Sequence, residues 1–355
     1  FWLIILTEFV LQRQQLVLQT KNFMINYFVQ MLVLLQLIQC SQIGGTTPPY
    51  LQMTDMKNAN FPTDGEGRTY HLYLKQGEVA SRIVTVGDVP RAVAFAKTPG
   101  FEVKFVRVAP RLFTTITGLY KGKAVTIITS LMGIPNMDFT IRELRYAAQG
   151  PMAVVRVGTC GSPAETKVGE VTVPRKFHTV LRLPDGFPGP SKMDEKYYIS
   201  KEMHGDEALI KLLAANCMKY CGTAYDGHHV SCCSFYSSQG RVDPNFDDQN
   251  STFVDYMCEK LPGLVSIEME TSHLVDMARV CTQQIHAAGA HIILAQRKSQ
   301  EFLTNEQKHQ IEGKIGMAAL ETVWGYEFAE EEPANAVWKL PGITGDYDQI
   351  QQHFE

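Results

Sequence analysis

Apolar, β-rich runs alternate with helix-like patterns along the chain from about residue 70 onwards. Several of these runs are apolar almost without interruption, which is typical of strands that are covered on both faces. Their alternation with helices predicts an α/β domain built around a mixed sheet. The predicted strands are 82–86, 103–109, 124–130, 152–158, 168–173, 228–235 and 291–295.

Apolar residues at helical spacing predict the helices between these strands. A stripe that includes Leu274 and Ile285 predicts a helix over 271–285. The same kind of spacing predicts helices over 206–219 and 305–323. Prolines and glycines in 183–191 predict a loop.

The two ends of the chain are expected to lie outside this single domain. Residues 22–54 carry no charge, but glutamines interrupt the apolar run, so it is a poor membrane-spanning segment. A signal anchor is the alternative for this region. We expect 1–55 to be an upstream extension, 56–325 to be the domain, and 326–355 to be an acidic tail without a clear period.

Composition and charge narrow the functional class. The 355 residues are 45% hydrophobic, which is enough for one large or two modest domains with a full core. A net charge of −4 argues against a nucleic-acid-binding surface, which is normally basic. The eight cysteines form no pair or Cys/His cluster at zinc spacing. We therefore expect reduced thiols in a cytoplasmic enzyme, and no metal site.

Arginines near strand ends indicate an anion site. Arg156 lies in an otherwise apolar strand, where a charge is costly unless it is paired. It forms either a structural ion pair or a contact with an anionic ligand at the strand's carboxyl end, beside Thr159. Gly87 and Arg91 flank a turn that opens a helix with a proline in its first turn. Such a turn can bind an anion, although an ordinary turn explains it equally well.

Two further segments offer polar groups that suit a nucleoside. Gln239 and Arg241 are two positions apart and share one face if the segment is extended. Their donors and acceptor match the acceptor–donor–acceptor edge of uracil, and Phe235 offers a stacking face; a solvated loop pair is the alternative. Glu268 and Glu270 are either acids at a helix start or, for Glu270, a grip on sugar hydroxyls.

The order and spacing of these segments resemble the nucleoside phosphorylases, and among them the uridine-cleaving branch. The likeness runs from about Tyr70 to Val323 and implies a three-layer α/β/α fold with a central mixed sheet. No dinucleotide-binding glycine motif is present, so an oxidoreductase of similar class is not favoured. The segments that carry the resemblance are 70–72, 87–91, 111–115, 156–161, 235–241, 268–270 and Arg297.

The resemblance implies a role for each of these residues. The phosphate-binding residues would be Gly87, Arg91, Arg111, Arg156 and Thr159. The ribose-binding residues would be His71, Thr159, Glu268, Met269 and Glu270. The base-binding residues would be Cys160, Gly161, Phe235, Gln239, Arg241 and Arg297. The catalytic residues would be Arg241, Gln239, Glu270 and Arg156, while Arg111 and His71 would reach the site of a partner subunit.

Some departures from the family pattern affect assembly and specificity. Leu112 stands where bacterial members have an acid of an intersubunit cation site, so that cation is not predicted. Ser237-Ser238 and Gly240 replace the usual residues of the base-reading loop. The loop at 183–191 and the terminal extensions oppose a hexameric ring, so we expect a homodimer with shared sites. Lys298-Ser299 lacks the aspartate of purine-cleaving members, which favours a pyrimidine.

The activity implied by the resemblance is reversible phosphorolysis of uridine to uracil and ribose 1-phosphate in pyrimidine salvage. Inorganic phosphate would be a co-substrate, and no cofactor is expected. The alternatives are a nucleosidase or a purine nucleoside phosphorylase of the same fold, or a non-catalytic nucleoside-binding relative. The presence of three arginines that would bind phosphate argues against a nucleosidase, because hydrolysis does not require phosphate.

Overall fold

The computed structural model describes residues 55–187, 189 and 191–354. All but the last residue of the extension expected over 1–55 therefore lies outside the described residues, as does the alternative signal anchor. Within the described part, no helix is both long and apolar enough to cross a membrane.

A thirteen-stranded mixed sheet and eight α-helices make up the described part of the chain, so the predicted α/β class is confirmed. The strands are β1 (Arg82–Val86), β2 (Phe101–Val108), β3 (Thr114–Tyr120), β4 (Lys123–Thr129), β5 (Met152–Ser162), β6 (Val171–Thr172), β7 (Lys176–Arg182), β8 (Tyr197–Ile199), β9 (Met203–His204), β10 (His228–Cys232), β11 (Leu264–Glu268), β12 (Ile285–Gln296) and β13 (Thr344–Gly345). The helices are α1 (Val89–Ala96), α2 (Ile134–Ala147), α3 (Met193–Lys196), α4 (Glu207–Cys221), α5 (Phe253–Lys260), α6 (Thr271–Val280), α7 (Asn305–Gly325) and α8 (Tyr347–Ile350).

Strand β5 is the centre of the sheet, whose order is β13-β2-β3-β4-β1-β5-β11-β10-β7-β8. It runs parallel to β1 and to β12, and it meets β11 in antiparallel fashion at Gly161. Helices α1 and α4 pack against α7, while α2 packs against α6. Because β4, β1 and β5 are parallel, their carboxyl ends open on one edge, which is where α/β folds bind ligands.

Several predicted boundaries were wrong because a buried strand and a buried helix can show the same run of apolar residues. The helix predicted over 271–285 ends at Val280, and Ile285 begins the twelve-residue strand β12. Because β12 is buried along most of its length, it begins with an apolar residue. Ile285 happens to fall at helical spacing from the apolar residues of α6, so the sequence pattern assigned it to the helix. The strand predicted over 168–173 is shorter, because Gly169 has a φ of +85°.

Long-range contacts decide other elements that the sequence pattern did not predict. Strand β3 and helix α2 were both missed. The segment predicted as a tail over 326–355 contains β13, which pairs in parallel with β2. Trp338 and Ile350 in this segment are buried. Its packing therefore depends on residues more than two hundred positions away.

Candidate active site

A cleft of about 250 Å³ opens at the carboxyl edge of the sheet. Three groups of predicted site residues line it. The predicted phosphate-binding residues in the cleft are Gly87, Arg91, Arg156 and Thr159. The predicted ribose-binding residues there, besides Thr159, are Glu268, Met269 and Glu270. The predicted base-binding residues there are Cys160, Gly161, Phe235, Gln239 and Arg241.

Arg91 is held in place at the start of α1. The helix begins after the turn with a proline in its first turn, as predicted, and the Asp88 carboxylate caps it by accepting the backbone N–H of Arg91 at 2.9 Å. The guanidinium of Arg91 lies 3.2 Å from Asp88 and 3.1 Å from Glu312 of α7. Both Arg91 and Glu312 are buried, so the orientation of this cation is fixed by two carboxylates. The sequence did not single out Glu312.

Arg156 is a buried cation, and only two of its five N–H donors make hydrogen bonds to the described residues. Its Nη1 donates to Ser130 Oγ at 3.0 Å, and its Nη2 donates to Glu270 Oε2 at 2.7 Å. Its Nε is buried, makes no hydrogen bond to the described residues and lies 4.0 Å from Glu268 Oε2. The ion-pair interpretation of Arg156 is therefore confirmed, and Arg156 also lines the cleft, where a bound anion would lie beside it.

Glu268 and Glu270 differ sharply in their contacts. Glu268 accepts the backbone N–H groups of Glu270 and Thr271 at the start of α6, and His229 Nε2 lies 2.8 Å from its Oε1. Glu268 therefore fits the helix-start interpretation, although it also lines the cleft. Glu270 contacts Arg156 and the backbone N–H of Gly133. It is thus the carboxylate nearer to the anion-binding end.

The same environment separates the acidities of these two carboxyls. Burial opposes the charge of Glu268, but His229, His291 and Arg156 hold its pKa well below the usual range. The pKa of Glu270 is raised to about 7, chiefly by burial. The positive charge of Arg156 opposes the rise in this pKa, and the negative charge of Glu268 increases it. Two neighbouring acids with separated pKa values are typical of an active site.

Gln239 and Arg241 share the cleft, but their segment is not extended as expected. Strand β10 ends at Cys232, residues Ser237–Gln239 form a 3-10 turn, and Gly240 has a φ of +62°. This turn brings Arg241 Nη1 onto Gln239 Oε1. The Arg241 guanidinium also lies over the Phe235 ring, 3.8 Å from its centroid. The aromatic face predicted to stack on a base therefore holds the arginine in this structure.

Arg297 lies behind this turn instead of lining the cleft. It donates to the backbone carbonyls of Gln239 at 2.8 Å and Gly240 at 3.2 Å, so it positions the loop. Burial and, next, the charge of Arg297 lower the pKa of Arg241 to about 10. Arg241 is still a cation at neutral pH, and its partial desolvation strengthens its interaction with negative charge.

His71 and Arg111 both contact Tyr70, and neither lines the cleft. His71 Nδ1 is 2.6 Å from Glu143 Oε1, and its ring stacks on Phe139 at 4.1 Å between centroids. Arg111 donates to the Tyr70 hydroxyl at 2.7 Å and lies over the Tyr70 ring. These are the two residues that were expected to reach a partner's site, and within one chain they do not join the other site residues.

The cleft also has apolar walls that sequence reasoning missed. Leu131 and Met132 follow β4, Leu294 and Ala295 lie near the end of β12, and Phe302 comes just beyond it. These residues carry no chemical motif. Their only signal was their position near the carboxyl ends of parallel strands, which requires the strand order to be known.

Comparisons with known proteins agree with this geometry. The sequence profile of the phosphorylase superfamily matches residues 81–321. A uridine phosphorylase structure from the oomycete Phytophthora capsici has 36% sequence identity and a TM-score of 0.73, and the match covers 77% of this chain and all of that one. A uridine phosphorylase from Thermococcus kodakarensis is 25% identical over 295 residues, which are 81% of this chain and 98% of the relative.

A purine-cleaving relative shares a shorter stretch. A purine nucleoside phosphorylase from Bacillus thuringiensis is 36% identical over 104 residues, which are 29% of this chain and 43% of the relative. A Trypanosoma brucei nucleoside phosphorylase structure has 22% identity and a TM-score of 0.61, and it covers 75% of this chain, which shows the shared fold.

Proposed function

The chain belongs to the phosphorylase superfamily, and from this premise we propose that it catalyses the reversible phosphorolysis of uridine to uracil and ribose 1-phosphate. The observation that carries the proposal is one cleft that joins Arg91 and Arg156 to the Gln239–Arg241 pair, with Glu270 bonded to Arg156. The relatives named as uridine phosphorylases, which this chain matches over more than three quarters of its length, support the same substrate.

The site would act by positioning and electrostatics. Gly87, Arg91, Arg156 and Thr159 would hold phosphate below the sugar, and Met269 with Glu270 would hold the ribose. As the glycosidic bond lengthens, the sugar gains positive charge and uracil gains negative charge. Phosphate stabilises the sugar, while the donors of Gln239 and Arg241 stabilise the departing base.

A pyrimidine suits the base end better than a purine. Gln239 and Arg241 are held as a bonded pair by the 3-10 turn and by Arg297. That pair offers a fixed set of donors and an acceptor to the edge of uracil. Lys298 and Ser299 follow Arg297, where purine-cleaving relatives are expected to have an aspartate.

The active unit would be a homodimer with shared sites. Arg111 and His71 both contact Tyr70 but do not line the cleft of their own chain. A partner chain that supplies both would complete the phosphate and ribose ends. The described cysteines are free thiols, which favours a reducing compartment such as the cytoplasm, where the enzyme would serve pyrimidine salvage.

The deciding experiment is uracil release from uridine with and without inorganic phosphate, together with the same assay on inosine. We expect release that depends on phosphate and on a pyrimidine base. Equal rates without phosphate would identify a nucleosidase, and faster inosine cleavage would identify a purine phosphorylase. If no nucleoside is cleaved although uridine binds, the chain is a non-catalytic relative.

A further inference from the structure

Two histidines and a glutamate form a cluster away from the cleft. The side chains of His178, Glu202 and His228 each present one ligand atom within 4.8 Å of the others. His178 Nε2 and His228 Nδ1 are 3.0 Å apart, and His228 Nδ1 is 3.8 Å from Glu202 Oε2. None of the three lines the cleft.

The register of three neighbouring strands produces this cluster. In the parallel pair of β7 and β10, His178 stands opposite Val230, so His228 is its diagonal neighbour on the same face. On the other side of β7, the antiparallel pairing with β9 sets Lys176 opposite His204 and Phe177 opposite Met203. The next position in that register places Glu202 beside His178. Three adjacent backbones therefore fix the spacing.

The histidines are oriented as metal-binding histidines usually are. His178 Nδ1 lies 3.0 Å from the carbonyl oxygen of Ser200, so it is the donor there and Nε2 keeps its lone pair. In the metal-free chain that lone pair accepts the Nδ1–H of His228.

The charges around the cluster leave one open side. Glu202 is a third exposed, so solvent reaches the cluster from that direction. Glu202 Oε1, the carboxylate oxygen that is not in the cluster, lies 3.1 Å from His204 Nε2, and this contact holds the carboxylate in place. Lys176 Nζ lies 3.5 Å from Glu202 Oε2, and this lysine side chain is half-exposed, so its amine can be hydrated when a metal ion takes its place beside the carboxylate.

We propose that His178, His228 and Glu202 form a Zn²⁺ site that clamps the edge of the sheet. Two imidazoles and one carboxylate are a ligand set that zinc accepts, with water in the fourth position. The ligand atoms of tetrahedral zinc lie about 3.3 Å apart. This separation falls between the 3.0 Å from His178 Nε2 to His228 Nδ1 and the 3.8 Å from His228 Nδ1 to Glu202 Oε2. Binding replaces the hydrogen bond between the rings, and the His228 proton moves from Nδ1 to Nε2 so that both lone pairs face the ion.

The test is calorimetric titration of the untagged full chain with Zn²⁺, in competition with a chelator and without nucleoside. We expect one ion per chain at this site and a rise in the unfolding temperature with zinc. His228→Gln and Glu202→Gln should weaken binding by about 100-fold or more, because even loss of an outer-shell partner costs 10–100-fold. Mg²⁺ should not compete, since it prefers all-oxygen ligands.

The matched control is His353→Gln, which removes an exposed histidine on a different part of the chain. It should bind zinc as the wild type does. The proposal is wrong if the wild type does not bind zinc, or if both cluster variants keep its affinity. If His228→Gln fails to fold, the more exposed Glu202→Gln decides alone. Because no nucleoside is present, the result is independent of the proposed phosphorolysis.

Discussion

Arg156 and Glu270 form a buried ion pair, with 2.7 Å between Nη2 and Oε2. Arg156 belongs to β5 and Glu270 immediately precedes α6, so the pair joins the proposed phosphate end of the cleft to its sugar end. At this distance and burial, a change in the charge of either group is felt strongly by the other. This coupling makes the protonation of Glu270 a property that kinetics can detect.

Uridine cleavage should therefore fall on the acid side of neutrality. Burial raises the pKa of Glu270 to about 7, so below that pH the carboxyl becomes neutral and loses its strength as an acceptor for ribose hydroxyls. The kcat/KM for uridine should decline as pH drops through 7. In Glu270→Gln that acid limb should vanish at a lower overall rate. An unchanged limb in this variant would assign it to another group.

Arg241→Ala should reduce uridine turnover by about 100-fold or more, because loss of one positioned donor to developing charge costs about 3–4 kcal/mol. The measurement is kcat for phosphorolysis at saturating phosphate. Arg279→Ala is the control, because that arginine is exposed and pairs only with nearby Asp276 in the described structure. Near-normal turnover of Arg241→Ala would contradict the role assigned to the base end.

Glu312→Ala should raise the KM for phosphate with a smaller effect on the KM for uridine. The Glu312 carboxylate orients the buried Arg91 guanidinium at 3.1 Å, and a charge-assisted bond of this kind contributes about 1.5–3 kcal/mol. We expect about a tenfold or greater increase in the phosphate KM. Glu306→Ala, on an exposed position of the same helix, should leave it unchanged.

Mixing two inactive variants tests the shared site. If Arg111 serves the partner's cleft, a heterodimer of Arg111→Ala and Arg156→Ala has one site with both arginines and one with neither. Random reassociation of equal amounts should restore about one quarter of wild-type activity, since half the dimers are mixed. Activity is measured as uracil release before and after reassociation. No recovery would place Arg111 and Arg156 in the same chain's site, or outside catalysis.

Glu330→Ala should lower the free energy of unfolding without changing the kinetics of uridine cleavage. Its carboxylate accepts two hydrogen bonds from the fully buried Arg82, at 2.8 and 3.1 Å. Loss of this bidentate pair should cost about 2 kcal/mol, measured by denaturant unfolding. Glu327→Ala removes an exposed carboxylate that pairs with Lys123, and it should cost less than about 1 kcal/mol.

Motif residues close to strand ends could be predicted because local order fixes their place. Gly87 and Arg91 flank a turn whose proline and capping aspartate are visible in the sequence. Arg156 stood out as a charge within an apolar strand. The proximity of Gln239 and Arg241 was also predicted, but from a wrong geometry: a 3-10 turn and a positive φ at Gly240 bring them together, and the segment is not extended.

The sequence by itself determined the α/β class, the strands whose apolar runs are long, and the residues with chemistry near their ends. Hydrophobic periodicity and turn chemistry are local, so they can be read without knowledge of the partners. Only the tertiary structure decided which distant residues meet. Glu312 of α7 contacts Arg91 of α1 because these two helices pack together. The cluster of His178, Glu202 and His228 forms only because of the register of adjacent strands. Strand order and register depend on long-range pairing, which no local pattern records.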